Sequence, residues 1–276
     1  MAQPVHSNMY ENLTNDLQLE YKMNTFKKGL LAGAAALAMS MTSQASEINV
    51  GGVTWDPETV GIDQLFTSAN EAVISSIGDT LSGYGLVTAF PTGGDISFCA
   101  GCELTFEFGG YELAQLGPVD AFGSQALVFT GGWVNFYVDH SADYDDTIGN
   151  AQDGDLWLSL VGHEQTFGAF TGTLFGAASL FGTGNDNGSG RGLLDVRETG
   201  AIGMANNNFN TNSFTDAQGN MTDANFNSTF APSGTDPLYP LSGVTTIQSR
   251  TIPEPSTIAL LGLGLLGFAG ARKRKA

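Results

Sequence analysis

Positive charge is what this sequence has least of: ten Lys and Arg stand against 28 Asp and Glu. Seven of the ten cluster towards the termini, at Lys22, Lys27, Lys28, Arg272, Lys273, Arg274 and Lys275. Between residues 46 and 250 there is no lysine, and three arginines (Arg191, Arg197, Arg250) face 24 acids, a net charge of −21. A surface this negative repels phosphate backbones and anionic lipid, which argues against nucleic acid as a partner. Thiols are nearly absent too. Cys99 and Cys102 are the only cysteines, and one C-x-x-C with no His beside it cannot supply the four ligands of a zinc site. The same stretch has only His140 and His163, no G-x-S-x-G and no glycine loop ending in lysine. No catalytic residue is assigned, and the expectation is a protein that is not an enzyme.

What is present begins with two address segments. From Met23, Lys27 and Lys28 form a positive start, residues 29–39 are an apolar run, and Ser43-Gln44-Ala45 offers small residues where a signal peptidase inspects the chain. That order is a secretory signal peptide over 23–45, cleaved after Ala45. Residues 1–22 carry Glu11, Asp16 and Glu20, an odd charge for such a start, and are read as a gene-start extension. The second segment is C-terminal, at 253–276. Pro253-Glu254-Pro255 precedes an uncharged apolar run, closed by Arg272, Lys273, Arg274 and Lys275. From Ser256 to Ala271 that run has 16 residues, about 24 Å as a helix, against the roughly 20 residues usual for a span. A basic cluster of this kind stays cytoplasmic, which puts everything before it outside the inner membrane.

About 205 residues remain, enough for one sizeable core. They are rich in glycine, asparagine, threonine and phenylalanine. Apolar or alternating runs at 82–90 (SGYGLVTAF), 103–113 (ELTFEFGGYEL), 126–130, 133–139 (WVNFYVD), 155–162 (DLWLSLVG) and 193–197 read as strands. Gly131-Gly132 between two of them is a hairpin signal, since glycine tolerates the positive φ of primed turns. Short strands between glycine breaks predict an all-β sandwich or barrel of antiparallel strands. Residues 62–77 place apolar side chains at 62, 65, 66, 73, 74 and 77, partly in helical register, and are read as one short helix. Residues 182–192 (GTGNDNGSGRG) read as a loop. Residues 204–230, with eight asparagines and phenylalanines at 209, 214, 226 and 230, read either as edge strands, as an asparagine-laddered element or as irregular chain. The β-rich domain is bounded at 46–230, and 231–252, with three prolines, reads as a linker.

Three groups of residues invite chemistry. Cys99 and Cys102, in an exported protein and beside a strand, are read as a small structural disulfide. Residues 139–155 hold six aspartates, of which Asp143, Asp145, Asp153 and Asp155 form a candidate calcium set, calcium being the one cofactor considered. The spacing is not that of an EF-hand, since the twelfth position from Asp143 is Gly154. The plainer alternative is a solvated loop whose aspartates make turn hydrogen bonds. Trp55, Trp133 and Trp157 could stack on sugars or lie in the core.

The P-E-P triplet, short apolar span and terminal basic cluster closely resemble the PEP-CTERM sorting signal. GGVTWDP, LSGYG and C-x-x-C-E-L-T-F resemble a glycine-rich group of proteins that carry it. The resemblance implies recognition and cleavage near P-E-P by an exosortase, a membrane transpeptidase-like protease. It also implies transient residence in the inner membrane, then a cell-surface or extracellular-matrix location in biofilm or floc. Signal peptidase is the other expected processing partner, and exopolysaccharide a candidate one. The resulting expectation is a structural or adhesive matrix protein. The alternatives are a calcium-dependent carbohydrate-binding module and a secreted hydrolase.

Overall fold

The computed structural model describes residues 47–57, 63–90 and 98–252. The signal peptide, Ala45, the 1–22 extension, the P-E-P triplet, the apolar tail with its expected helix and the basic cluster lie outside the described residues.

The described chain is almost entirely antiparallel sheet. Its strands are β1 (Ile48–Val50), β2 (Val53–Trp55), β3 (Asp63–Glu71), β4 (Thr80–Ala89), β5 (Glu103–Val119), β6 (Ser124–Asp139), β7 (Asp155–His163), β8 (Gln165–Phe167), β9 (Phe170–Gly172), β10 (Leu174–Ser179), β11 (Asn187–Val196), β12 (Phe214–Thr215), β13 (Met221–Thr222), β14 (Ala224–Ala231) and β15 (Leu241–Ser249). One helical turn, α1 (Asn206–Phe209), interrupts them. Nine strands form one sheet in the order β10-β11-β14-β15-β3-β4-β5-β6-β7. That sheet closes on itself. β6 bonds β10 through Ser124–Phe129 and β7 through Trp133–Val138. β11 likewise bonds β10 through Asn187–Gly192 and β7 through Leu193–Val196. β7 and β10 therefore share one place in the wall end to end, with the β8–β9 hairpin looping out between them. Nine strands thus fill eight positions around a closed barrel, a size at which the interior either fills with side chains or holds one small ligand.

Alternation along the strands decides which side faces in. On β14, Phe226, Ser228 and Phe230 line the interior while Asn225, Asn227 and Thr229 alternate outward. On β15, Leu241, Thr245 and Ile247 point in. Apolar inside and polar outside is the reverse of a membrane barrel. One end of the interior is packed solid. Trp55, Phe90, Trp157 and Phe209 meet there with ring centroids 5.4–6.4 Å apart. The two indole N–H groups are satisfied by Thr251 Oγ1 at 3.0 Å and the Val50 carbonyl at 2.9 Å.

Several sequence expectations are corrected. Residues 62–77 hold β3, not a helix: its Leu65, Thr67 and Ala69 are buried, and both edges are bonded, to β15 and β4. Two-sided pairing overrides the poor strand propensity of Ala, Asn and Glu. Gly131-Gly132 does not turn the chain, because β6 runs straight through it. Both glycines have positive φ (71° and 91°) and bend the strand where its neighbour changes from β10 to β7. Only the first part of 182–192 is loop, since β11 starts at Asn187. The linker read over 231–252 is replaced by β15, which bonds β14 and β3 and belongs to the barrel wall. The asparagine-rich stretch is neither laddered nor irregular throughout. Buried Asn206 accepts from Ser159 N and Gly203 N and donates to the Arg197 carbonyl, while buried Asp223 accepts from the backbone of Val196, Thr211 and Asn212.

Gly132 admits no side chain. A Cβ there would lie 2.1 Å from the Tyr111 ring, whereas Gly123, at a similar φ of 82°, has nothing within 4 Å. Left-handed strain is common to both and costs about 1–2 kcal/mol in alanine. Gly132→Ala is expected to lose about 1–3 kcal/mol more than Gly123→Ala from overpacking. Equal losses in denaturant unfolding would contradict the packing account.

Candidate functional site

Beyond the aromatic plug the interior is not filled. A cavity open at its mouth lies in the opposite part of the barrel, with about 80 Å³ of room for water-sized spheres. Its wall is built from Phe106, Phe108, Leu127, Phe129, Val134 and Phe226, with Ile74, Phe181, Phe230 and Leu241 towards the end where β3 and β14 finish. The space follows from residue size. Gly176 on β10 and Gly190 on β11 line it, and the Phe106 and Phe108 rings lie flat on β4 where Gly85 and Gly83 leave room.

Few polar groups reach this apolar space, and two are unusual. Glu71, the last residue of β3, is 6% exposed, lines the cavity and has no hydrogen-bond or ionic partner among the described residues. Burial away from water raises its carboxyl to about 7. Tyr111 lines the same cavity, and its buried hydroxyl has no partner. Desolvation pushes that phenol up as well. Asp186 also lines the wall, but its carboxylate accepts from the N–H groups of Gly182 and Gly184 and closes the β10–β11 turn. A buried polar group with no partner costs stability, so Glu71 and Tyr111 are two unmet bonding demands in one cavity.

The residues singled out from sequence lie elsewhere. Cys99 and Cys102 are joined in a disulfide with Cα atoms 5.1 Å apart. It closes a turn beside β2, where Val53 bridges Cys99 and Thr54 N donates to the Phe98 carbonyl. No helix begins at Cys99 to lower its thiol pKa. Of the calcium set, Asp143 converges with Glu103 and Asp139, their oxygens within 4.8 Å of one another, while Asp145, Asp153 and Asp155 are outside that group. Burial and the nearby charges of Asp139 and Asp143 raise the Glu103 carboxyl, against the Tyr144 N–H that it accepts. Much of the acidic loop is tied to protein. Asp145 accepts from Thr147 Oγ1 at 2.7 Å, and Asp146 accepts from Asn70 Nδ2 at 2.7 Å and Tyr144 Oη at 3.0 Å. Trp55 and Trp157 are core, and Trp133 packs over Gly109 and Gly110.

His163 sits between two carboxylates, Nδ1 2.7 Å from Asp195 and Nε2 3.5 Å from Asp216. Burial opposes charge on Asp216, but hydrogen bonds from Asn220, Gln218 and His163 hold its carboxyl below the usual range. No hydroxyl or thiol nucleophile bonds this imidazole among the described residues. The group fastens the β12–β13 hairpin to the wall and offers no acyl-transfer geometry. No described helix is long and apolar enough to cross a membrane.

Comparison with known families accounts for the part of the chain outside the described structure. The family model of the PEP-CTERM protein-sorting motif matches residues 251–275. The chain carries a PEP-CTERM sorting motif. It is therefore an exported protein handled at the membrane and directed to an exosortase-type enzyme. The match covers the tail and leaves the barrel unassigned. No curated protein and no solved structure matches the chain significantly.

Glu71 and Tyr111 could not be picked from sequence among 24 acids and many aromatics. Knowing that 63–71 is a strand would have put Glu71 on the face of Leu65, Thr67 and Ala69, and so towards the interior.

A carboxyl raised from 4.5 to about 7 by folding binds its proton more tightly in the native state. The native protein therefore carries no penalty below pH 4.5 and loses stability as pH rises from there to about 7. Glu71→Gln is expected to gain on the order of 3 kcal/mol over the parent at pH 8 and almost nothing at pH 4. A pH-independent difference in urea unfolding would exclude this role of Glu71.

Proposed function

We propose that this exosortase substrate is a non-catalytic binding protein of the cell surface or extracellular matrix, whose barrel takes up an apolar small molecule. The observation that carries the reading is the interior cavity, apolar over most of its wall and bearing the Glu71 carboxyl and the partnerless Tyr111 hydroxyl. A barrel with no need of a ligand would close such a space with larger side chains, because an unfilled void forfeits packing contacts. The matrix or biofilm setting expected of a structural or adhesive protein remains part of the reading, and the cavity gives the protein a task within it. Support for the carbohydrate-binding alternative is weaker, since Trp55 and Trp157 are wholly buried and three of the four aspartates stay apart from the converging acids. A hydrolase reading lacks a histidine bonded to a hydroxyl or thiol among the described residues.

The probe N-phenyl-1-naphthylamine, whose fluorescence rises in apolar surroundings, is expected to bind the processed exported protein saturably. Ser228 is a half-buried lining residue whose hydroxyl bonds the Gly190 carbonyl only at 3.5 Å. Ser228→Trp is expected to weaken the probe at least about tenfold, or 1.4 kcal/mol, with unchanged far-UV circular dichroism. Binding that survives this substitution would place the probe elsewhere.

For the sorting step, mass spectrometry of the extracellular protein should find a C-terminus near Pro253-Glu254-Pro255, and cells lacking the processing enzyme should retain the tail. An extracellular form ending in Lys275-Ala276 would refute cleavage.

A further inference from the structure

Resting on the cavity reading, we propose that the ligand is a single-chain amphiphile with a hydrogen-bond-donating head, a long-chain amine above all, and that Glu71 receives that head. The polar lining sets the choice. Glu71 is more than nine-tenths buried, faces the cavity and has no partner among the described residues. Above pH 7 it is ionised and only accepts hydrogen bonds. Asp186, the other acid of the wall, is engaged by two backbone N–H groups and adds negative potential without a free bonding site. Among the described residues, no arginine or lysine lines the cavity. The residues between 46 and 250 hold only Arg191, Arg197 and Arg250. Arg191 lies over the Phe167 ring at 5.1 Å, and Arg197 Nε donates to Ser159 Oγ.

A carboxylate, sulfate or phosphate head would therefore enter an anionic, uncompensated site and meet repulsion on desolvation. A neutral hydrocarbon would leave Glu71 and Tyr111 as they are, unbonded. An alcohol would satisfy one of them. An ammonium head both donates to Glu71 and neutralises it, and a buried charge is stabilised only when paired. The apolar wall of Phe106, Phe108, Leu127, Phe129 and Phe226 then receives the alkyl chain, at roughly 0.8 kcal/mol for each methylene buried. Tyr111 Oη, able to donate or accept, is the second contact available to the head or to a water beside it.

The test uses ligands of one chain length. Decylamine, decanol and decanoate are titrated against N-phenyl-1-naphthylamine bound to the processed exported protein, at pH 8 and in 0.5 M NaCl so that attraction to the acidic outer surface is screened to a few ångströms. The expected order of displacement is decylamine, then decanol, then decanoate. Glu71→Gln is expected to weaken decylamine at least about tenfold, or 1.4 kcal/mol, while leaving decanol and the probe within about twofold. Glu107→Gln, a carboxylate on β5 outside the cavity lining, serves as the control for outer-surface charge and should change nothing. Decanoate displacing the probe as well as decylamine would overturn the proposal and leave the cavity reading intact, as would an unaltered amine affinity in Glu71→Gln. Failure of the probe itself to bind, together with failure of decylamine to bind in calorimetry, would overturn both.

Discussion

Closure of the wall through β6 is the constraint on which the rest of this structure depends. A sixteen-residue strand must bond β5 along one edge and two successive partners, β10 and then β7, along the other. It can do so only by bending at Gly131 and Gly132, opposite Gly110 on β5, all three at positive φ. The Tyr111 ring covers the bend at Gly132. Without that bend the sheet would stay open and present edges for association, and there would be no enclosed interior to hold a ligand.

Glycine and phenylalanine form an interlocking pair of components in this interior. Phe108 rests on Gly83, Phe106 on Gly85 and Phe226 on Gly192, each ring close enough to bar even a methyl group. Packing rings on bare backbone thickens the wall locally and keeps the aromatic surface from filling the centre. The composition that suggests low complexity in sequence is thus the means by which an eight-position barrel stays hollow at one end while four aromatic side chains close the other.

The broad class was legible: glycine-punctuated alternation predicted short antiparallel strands, and β4, β5, both halves of β6, β7 and the end of β11 fall where the runs are. What failed did so for one reason. Residues 63–71, 187–192 and 241–249 are rich in Ala, Asn, Ser, Thr and Gly, and become strands because partners bond both of their edges. Pairing over such sequence distances leaves no local pattern. The cavity was hidden behind the same difficulty, since Glu71 is inward only in a strand that sequence did not assign. Chemistry-bearing clusters drew attention to the acidic loop instead, which Asn70 of β3, Tyr84 of β4 and Thr105 of β5 hold by bonds to the Asp146 carboxylate, the Asp146 carbonyl and the Ala151 carbonyl.

The position of β15 has a directional consequence. Its first residue, Leu241, pairs with Glu71 at the cavity end, and its last, Ser249, lies at the plugged end, where Ile252 N bonds the Asn208 carbonyl. The sorting motif matched from residue 251 thus departs from the plugged base with no slack chain before it.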